Sequence, residues 1–311
     1  MKLSSHEVPA QNKRFVKDGK ALFLLILPFC VFLFLFAYVP LFGWGYSFFN
    51  YKPGIPLSKT PFVGFAKFAE IFAEGDSFLR ILKNTFALSF LQILISPVPV
   101  IFAILLTETR SIRFRRIIQT TTTLPNFISW VIIFSLAFNL FSSEGLANQV
   151  LSNFSSDLKV NLLGNPDAVW GFQTLLRLWK SLGWNAIIYM AAIAGIDSEL
   201  YDAAKVDGAG RFMRIMHVTV PGVSATFIVL LLLSVSSLMN AGSSLDQYLV
   251  FSNPVVVEKI EVLDLYVYKY GLVVNDYSYA TAVGVFKSLV SITLLFSVNL
   301  LAKRIRGQGI V

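Results

Sequence analysis

The chain has 311 residues, of which 55% are hydrophobic and 14% are charged, and its mean hydropathy is +0.67. A soluble protein carries about 25% charged residues, so this composition excludes a soluble globular domain and indicates an integral membrane protein. The net charge of +8 does not indicate a nucleic-acid-binding protein, because the basic residues form short clusters beside apolar runs. Cys30 is the single cysteine, which excludes disulfides within the chain and cysteine-based metal sites.

Long apolar runs predict an all-α membrane protein with six transmembrane helices. A basic segment, 1–20, precedes the six-span domain, 21–302, and a short tail, 303–311, follows it. The predicted spans are 21–45, 78–107, 117–141, 169–196, 221–244 and 278–302. Proline inside a span frees backbone carbonyls. A kink is therefore expected in the second span, which contains Pro97 and Pro99, and the third span contains Pro125.

The segments between the spans differ in character. After the first span, four apolar residues at helical spacing predict a short amphipathic helix on the outer surface: Phe65, Phe68, Ile71 and Phe72. Residues 142–167 and 245–277 are predicted to be outer loops. The termini and the loops 110–116 and 197–221 hold fifteen lysines and arginines, against six in the outer segments. The positive-inside rule therefore places both termini and the interval 197–221 in the cytoplasm.

The interval 197–221 is polar and lies between two long apolar runs. Asp197 occupies an N-cap position, and acidic residues follow in the first turns, which predicts a short helix to about Val206. Gly208 can end this helix, and a second helical segment can follow it. Ala203 and Ala204 are small enough to let another surface approach closely. These residues alone leave two interpretations open: a connector packed under its own helices, or a surface that binds another protein.

The spacing within this interval resembles the signature of permease subunits of bacterial binding-protein-dependent ABC importers. Asp202-Ala203-Ala204 is followed by Gly208 and, after nine intervening residues, by Val218-x-Val220-Pro221, with Asp in place of the usual Glu. Asp207, Gly208 and Ala209 match the version found in sugar importers. Further segments are similar to the polysaccharide and oligosaccharide permeases of the LplB type: 83–85, 124–130, 179–184, 192–197 and 280–288.

The resemblance implies a type I ABC importer permease fold and a function in the import of oligosaccharides or polysaccharide fragments. The residues implied to couple transport to ATP hydrolysis are Asp202, Ala203, Ala204, Asp207, Gly208 and Pro221. In the family the short helix docks in a groove of a cytoplasmic ATPase, where Asp202 would pair with an arginine. The implied partners are a second similar permease, two ATPases, an extracellular or periplasmic substrate-binding protein, the lipid bilayer and the carbohydrate.

The energy source is expected to lie on another chain. The sequence contains no G-x-x-x-x-G-K-[ST] phosphate loop, so we expect this chain to bind no cofactor. ATP and Mg²⁺ are expected on the partner ATPases. The sequence also predicts a transport subunit without catalytic residues, because its only histidines, His6 and His217, do not form a catalytic group with other residues. The alternative is an ion-coupled secondary sugar transporter, but such a carrier requires an ionisable group deep in the membrane, and no Asp or Glu lies within a predicted span away from its ends.

Polar and aromatic groups inside the predicted spans are candidates for the substrate pathway, because such groups are costly in lipid. The candidates are Asn139, Ser181, Trp184, Asn185, Tyr189, Ser236, Asn240, Ser243 and Lys287. Ser181, Asn185 and Tyr189 repeat at four-residue spacing and predict a polar stripe on one face of the fourth span. Ser236, Asn240 and Ser243 predict a similar stripe on the fifth span. For each candidate, hydrogen bonding between neighbouring spans is the other interpretation. Lys287 is expected to line the pathway or to bind a neighbouring carbonyl. The other interpretation is that it makes a helix–helix contact or extends its ammonium group towards the membrane surface.

Overall fold

In a computed structural model, residues 14–152, 161–240 and 244–306 are described, and this part of the chain contains no β-sheet. The all-α prediction is confirmed. The α-helices are α1 (Arg14–Leu33), α2 (Ala66–Ala73), α3 (Asp76–Leu94), α4 (Pro97–Thr107), α5 (Ile112–Thr123), α6 (Trp130–Phe141), α7 (Leu146–Ser152), α8 (Val169–Ala194), α9 (Ser198–Val206), α10 (Arg211–Arg214), α11 (Val220–Ser236), α12 (Leu245–Phe251), α13 (Val257–Ile260), α14 (Leu263–Tyr268) and α15 (Tyr277–Arg306).

Five helical stretches of the described residues are long and apolar enough to cross a membrane. They are Leu22–Phe48, Asp76–Thr107, Trp130–Ser152, Arg211–Ser236 and Tyr277–Leu300. The fourth predicted span corresponds to α8, whose 26 residues could extend about 39 Å but include polar and charged side chains. The count of six spans and the cytoplasmic position of the termini stay predictions.

The second predicted span is broken where its prolines lie. Helix α3 ends at Leu94, and α4 begins at Pro97, in the first turn, where the missing proline N–H is not needed. The third predicted span differs more from the prediction. The arginine-rich segment expected as a turn lies largely in α5, and a short 3-10 turn, Leu124–Phe127, separates α5 from the apolar helix α6.

Helix α2 forms where the amphipathic pattern predicts it and is anchored to the rest of the protein. Ile71 is fully buried in a cluster with residues of α3, α14 and α15. The hydroxyls of Tyr266 and Tyr270 donate to the carboxylate of Glu74 at 2.6 and 3.1 Å. Lys67 pairs with Glu70 and Asp276, each at 3.0 Å. Burial lowers the pKa of the Lys67 ammonium, but these hydrogen bonds outweigh burial and raise that pKa above its ordinary value.

Residues 245–277, predicted as an outer loop, are largely helical and packed, and their position outside the membrane stays a prediction. They form α12, α13 and α14 and a π-helical turn, Lys269–Val273, and they enter the core. Ile260, Val262 and Leu263 are fully buried. Polar side chains of α3 satisfy the backbone of this segment: the amide of Asn84 donates to the carbonyl of Glu258 at 2.8 Å, and the hydroxyl of Thr85 accepts from the N–H of Leu263 at 3.0 Å.

Candidate functional site

The short helix predicted after Asp197 forms as α9. The carboxylate of Asp197 accepts from the backbone N–H of Glu199 at 2.9 Å, which caps the first turn. At the other end, the N–H of Gly208 donates to the carbonyl of Lys205 at 3.1 Å, and the N–H of Ala209 donates to that of Ala204 at 2.9 Å. This pair of bonds is a Schellman motif, which requires a left-handed residue. Gly208 supplies it with a φ of +74°.

Helix α9 presents an exposed surface in which polar and apolar side chains alternate. The carboxylate of Asp202 is 70% exposed and pairs with Lys205 at 2.7 Å. Ala203 is exposed and Ala204 is half-buried. Val206, at the end of the helix, is 88% exposed, and Leu200 is also exposed.

The base of α9 is tied to the neighbouring helix α11. A π-helical turn, Ile215–Thr219, leads into α11, with Pro221 in its first turn. The hydroxyl oxygens of Tyr201 and Thr219 lie 3.0 Å apart, within hydrogen-bonding distance. A Cβ atom added at Gly222 would lie 2.5 Å from the side chain of Ile196, so the start of α11 packs tightly against the segment that leads into α9.

A cavity of about 380 Å³ lies between α3, α4, α8 and α11. Ser181, Asn185 and Tyr189, which the sequence places on one face of α8, line it together. The lining also contains polar residues that the sequence analysis missed: Ser89, Gln92, Ser96, Arg177, Ser234 and Ser237. Among the described residues that line the cavity, Arg177 is the one that carries a charge. Its guanidinium donates to the hydroxyl of Ser244.

Three further candidate residues do not line this cavity. The amide of Asn139 donates to the carbonyl of Ser135, one turn earlier in α6, at 2.8 Å. The indole of Trp184 packs edge-on against Phe127, with ring centroids 5.8 Å apart. Lys287 forms an ion pair with Asp264 of α14, and both side chains are largely buried. This contact makes Lys287 part of a helix–helix contact, with a carboxylate as its partner instead of the expected carbonyl.

The polar stripe predicted on the fifth span is wrong. Helix α11 ends at Ser236, whose hydroxyl donates to the carbonyl of Leu233 at 2.7 Å. Asn240 lies beyond the helix, in the 3-10 turn Leu238–Asn240. Helical spacing therefore does not relate these residues, and the cavity is lined by Ser234 and Ser237 in their place. Ser243 lies outside the described residues.

Two residues of the segment 179–184 set the position of α8. The ammonium of Lys180 donates to the carbonyls of Pro125, Asn126 and Ile128, at the break between α5 and α6. The carbonyl of Pro125 also accepts the backbone N–H of Ile128 at 3.2 Å. A Cβ atom on Gly183 would lie 2.4 Å from the backbone of Thr122, so glycine allows α8 to lie directly against α5. A proline in one predicted span and a lysine in the next are the signal that could have predicted this contact.

Residues 95–307 match the family model described as the binding-protein-dependent transport system inner membrane component. This chain belongs to that family. It is 39% identical over 293 residues to the polygalacturonan/rhamnogalacturonan transport system permease protein YteP of Bacillus subtilis, with coverage of 94% of this chain and 90% of that protein. It is 37% identical to the protein LplB of Bacillus subtilis over 95% of this chain and 92% of that protein.

A solved structure gives the same assignment. The bacterial alginate ABC transporter in complex with an alginate pentasaccharide-bound periplasmic protein contains a chain that matches with a TM-score of 0.83 and 30% identity. The match covers 97% of this permease and 100% of that chain. The resemblance to the LplB-type permeases and the ABC permease fold are confirmed. The chain is a membrane-embedded transporter subunit and not an enzyme.

Proposed function

We propose that this permease forms half of the membrane pathway of an ATP-driven importer for oligosaccharides or polysaccharide fragments. The observation that carries the proposal is the exposed surface of α9 in a chain of this family. This helix ends at the exposed Val206 and is terminated by Gly208. An exposed aliphatic side chain at the end of a capped helix is suited to a groove on another protein. A chain without a phosphate loop requires such a contact to obtain energy from ATP.

The partners follow from the same proposal. Two cytoplasmic ATPases bind ATP and Mg²⁺, and one of them receives α9, where Asp202 exchanges Lys205 for an arginine of the groove. Ala203, Ala204 and Gly208 allow a close fit, and Pro221 fixes the start of α11. A second similar permease completes the pathway, and a periplasmic or extracellular binding protein delivers the sugar. The family description, which names dependence on a binding protein, supports this arrangement.

The cavity favours an acidic carbohydrate. Its hydroxyl and amide groups, from residues such as Ser181 and Asn185, can hydrogen-bond to sugar hydroxyls. Arg177 adds a guanidinium, whose planar set of donors matches a carboxylate. The names of the relatives agree with this chemistry, since one transports polygalacturonan or rhamnogalacturonan and another imports the acidic polysaccharide alginate. We therefore propose oligosaccharides that contain uronic acids as the substrates.

The proposal is tested by reconstituting the permease in liposomes with the proteins that co-purify with it. The expected result is uptake of uronic-acid oligosaccharides that depends on the binding protein and on ATP supplied at the cytoplasmic face of the permease. A neutral oligosaccharide of the same length is the matched control and should be taken up more slowly. Uptake by this chain alone, driven by a proton or sodium gradient without ATP, would support the secondary-transporter alternative and contradict the proposal.

A further inference from the structure

The interval 197–221 is joined to a distant part of the chain by Arg211 and Glu108. The Nε atom of Arg211, in α10, donates to the carboxylate of Glu108, and its Nη2 atom donates to the backbone carbonyl of Glu108. Glu108 is the C-terminal cap of α4. One guanidinium therefore binds both the side chain and the main chain at the end of that helix, which fixes direction as well as distance.

The contact links the interval 197–221 to α4, a helix to which α9 is not joined by its neighbouring chain segments. Helix α9 is covalently continuous with α8 on one side and, through α10, with α11 on the other. The contact between Tyr201 and Thr219 also leads only to α11. Among the ion pairs of residues 14–152, 161–240 and 244–306, the pair of Arg211 and Glu108 is the one that joins the interval 197–221 to another segment.

Helices α3 and α4 form part of the cavity wall, and α4 also packs against α8, where Ala103 shares a buried cluster with Ala186 and Tyr189. The junction of α3 and α4 contributes Ser96 and Pro99 to the lining, while α8 and α11 contribute Asn185 and Leu230. Movement of α9 would therefore reach α8 and α11 through the chain itself. Arg211 adds a direct link from the interval 197–221 to the end of α4, beside the packing of α4 on α8. The chain between α9 and α10 contains Gly208 and Gly210, so the connection would be pliable without a second attachment.

Stability alone does not explain this ion pair. The side chain of Arg211 is 52% exposed and that of Glu108 is 29% exposed. Ion pairs with this degree of exposure contribute little to folding, because water screens them. Their value lies in geometry, and here the two bonds hold a short cytoplasmic-side helix against the end of a span. A cation at the C-terminus of α4 also complements the dipole of that helix.

We propose that Arg211 and Glu108 are positioning residues that transmit the movement of α9 to α4, so that the helices around the cavity move together when the ATPases close. This inference rests on the proposed function of α9. Disruption of the pair leaves docking and ATP hydrolysis in place, because the surface of α9 is unchanged. Transport for each ATP hydrolysed falls, because the end of α4 no longer moves together with α9.

The test uses the complete transporter in proteoliposomes, with its partner permease, ATPases and binding protein. The variants are Arg211→Glu, Glu108→Arg and the double exchange, and Arg214→Glu on the same short helix is the matched control. Each is assayed for co-purification of the ATPases, ATP hydrolysis and sugar uptake. We expect each single variant to retain the ATPases and to lose about tenfold or more of the uptake per ATP, with recovery in the double exchange.

Each other outcome has a defined meaning. Uptake per ATP that equals wild type in both single variants overturns the inference, as does a double exchange that recovers nothing. If a charge reversal prevents assembly, Arg211→Gln removes the charge with little change in size, and its uptake per ATP decides in the same way. Failure of the unmodified complex to show any ATP-dependent uptake contradicts the proposed function itself, which separates the two failures.

Discussion

The ammonium group of Lys180 lies 2.9 Å from the backbone oxygen of Asn126, and it also donates to the carbonyls of Pro125 and Ile128. The break between α5 and α6 exposes these carbonyls inside a membrane protein, where an unsatisfied polar group is costly. Lys180 thus stabilises an irregular turn that lies against the cavity-lining helix α8. The charged side chain of Lys180, which lies in a predicted span, therefore has a structural role.

Replacement of Lys180 by methionine should destabilise the permease. The substitution nearly keeps the length of the side chain but removes the ammonium that donates to the carbonyls of Asn126 and Ile128, at a cost of about 1–3 kcal/mol. Lys52→Met, at an exposed position between the first two spans, is the control and should have no effect. The measurement is the thermal unfolding midpoint of the purified protein in detergent. Equal midpoints for Lys180→Met and wild type would show that the turn is stable without the lysine.

A pair of glycines on α8 provides a second test. A Cβ atom at Gly183 would lie 2.4 Å from the backbone of Thr122, whereas one at Gly171 would meet nothing within 4 Å. Gly183→Ala should therefore force α5 and α8 apart and cost about 1–3 kcal/mol. Gly171→Ala should be neutral or slightly stabilising, because alanine favours the helix. Thermal unfolding of both variants compares them, and similar midpoints would contradict the close approach of α8 to α5.

Gly208 and Gly210 form a second matched pair, and they differ in backbone conformation. Both would place a Cβ atom in open space, but only Gly208 has a positive φ, at +74°. Gly208→Val should strain the end of α9 by about 1–2 kcal/mol, and it also adds bulk to the surface proposed to dock. We expect insertion in the membrane to persist while binding of the ATPase and sugar uptake are lost.

Two variants separate the causes of that loss. Gly208→Asn can adopt the left-handed conformation, so it tests bulk with less strain. Gly210→Ala, whose φ is −65°, should bind the ATPase as wild type does. Co-purification of the ATPase with each variant is the measurement. If Gly208→Val retains the ATPase and transports sugar normally, the role proposed for this end of α9 is wrong.

Arg177 provides the test of substrate charge. Arg177→Gln should weaken the transport of a uronic-acid oligosaccharide about tenfold, since a hydrogen bond to a charged group contributes about 1.5–3 kcal/mol. Uptake of a neutral oligosaccharide should change less. The half-saturating sugar concentration in the reconstituted transporter measures the effect, and the unfolding midpoint checks that the variant is intact. An unchanged preference for the acidic sugar would exclude Arg177 as the carboxylate-binding group.

Local signals in the sequence predicted part of this structure well. The break before Pro97, the amphipathic helix α2 and the start and end of α9 at Asp197 and Gly208 each depend on a few adjacent residues. The grouping of Ser181, Asn185 and Tyr189 on one face also follows directly from helical geometry. In each case the backbone conformation is set by the residues that the prediction used.

The rest depends on contacts between residues far apart in sequence. Residues 245–277 read as a loop because they lack a long apolar run, yet Asn84 and Thr85 of α3 satisfy their backbone and allow burial. The pairing of Lys287 with Asp264 depends on that same burial. Because α11 ends at Ser236, the predicted stripe beyond it could not form. None of these features has a local signal.

The central claim is that α9 docks on an ATPase, and cysteine labelling of Val206 tests it most directly. Cys30 is the single native cysteine, so Cys30→Ser with Val206→Cys leaves one thiol, at a position that is 88% exposed in the isolated chain. The measurement is the rate of maleimide labelling with and without the ATPases. We predict rapid labelling of the permease alone and strong protection in the assembled transporter. Equal labelling rates in the two states would contradict the account.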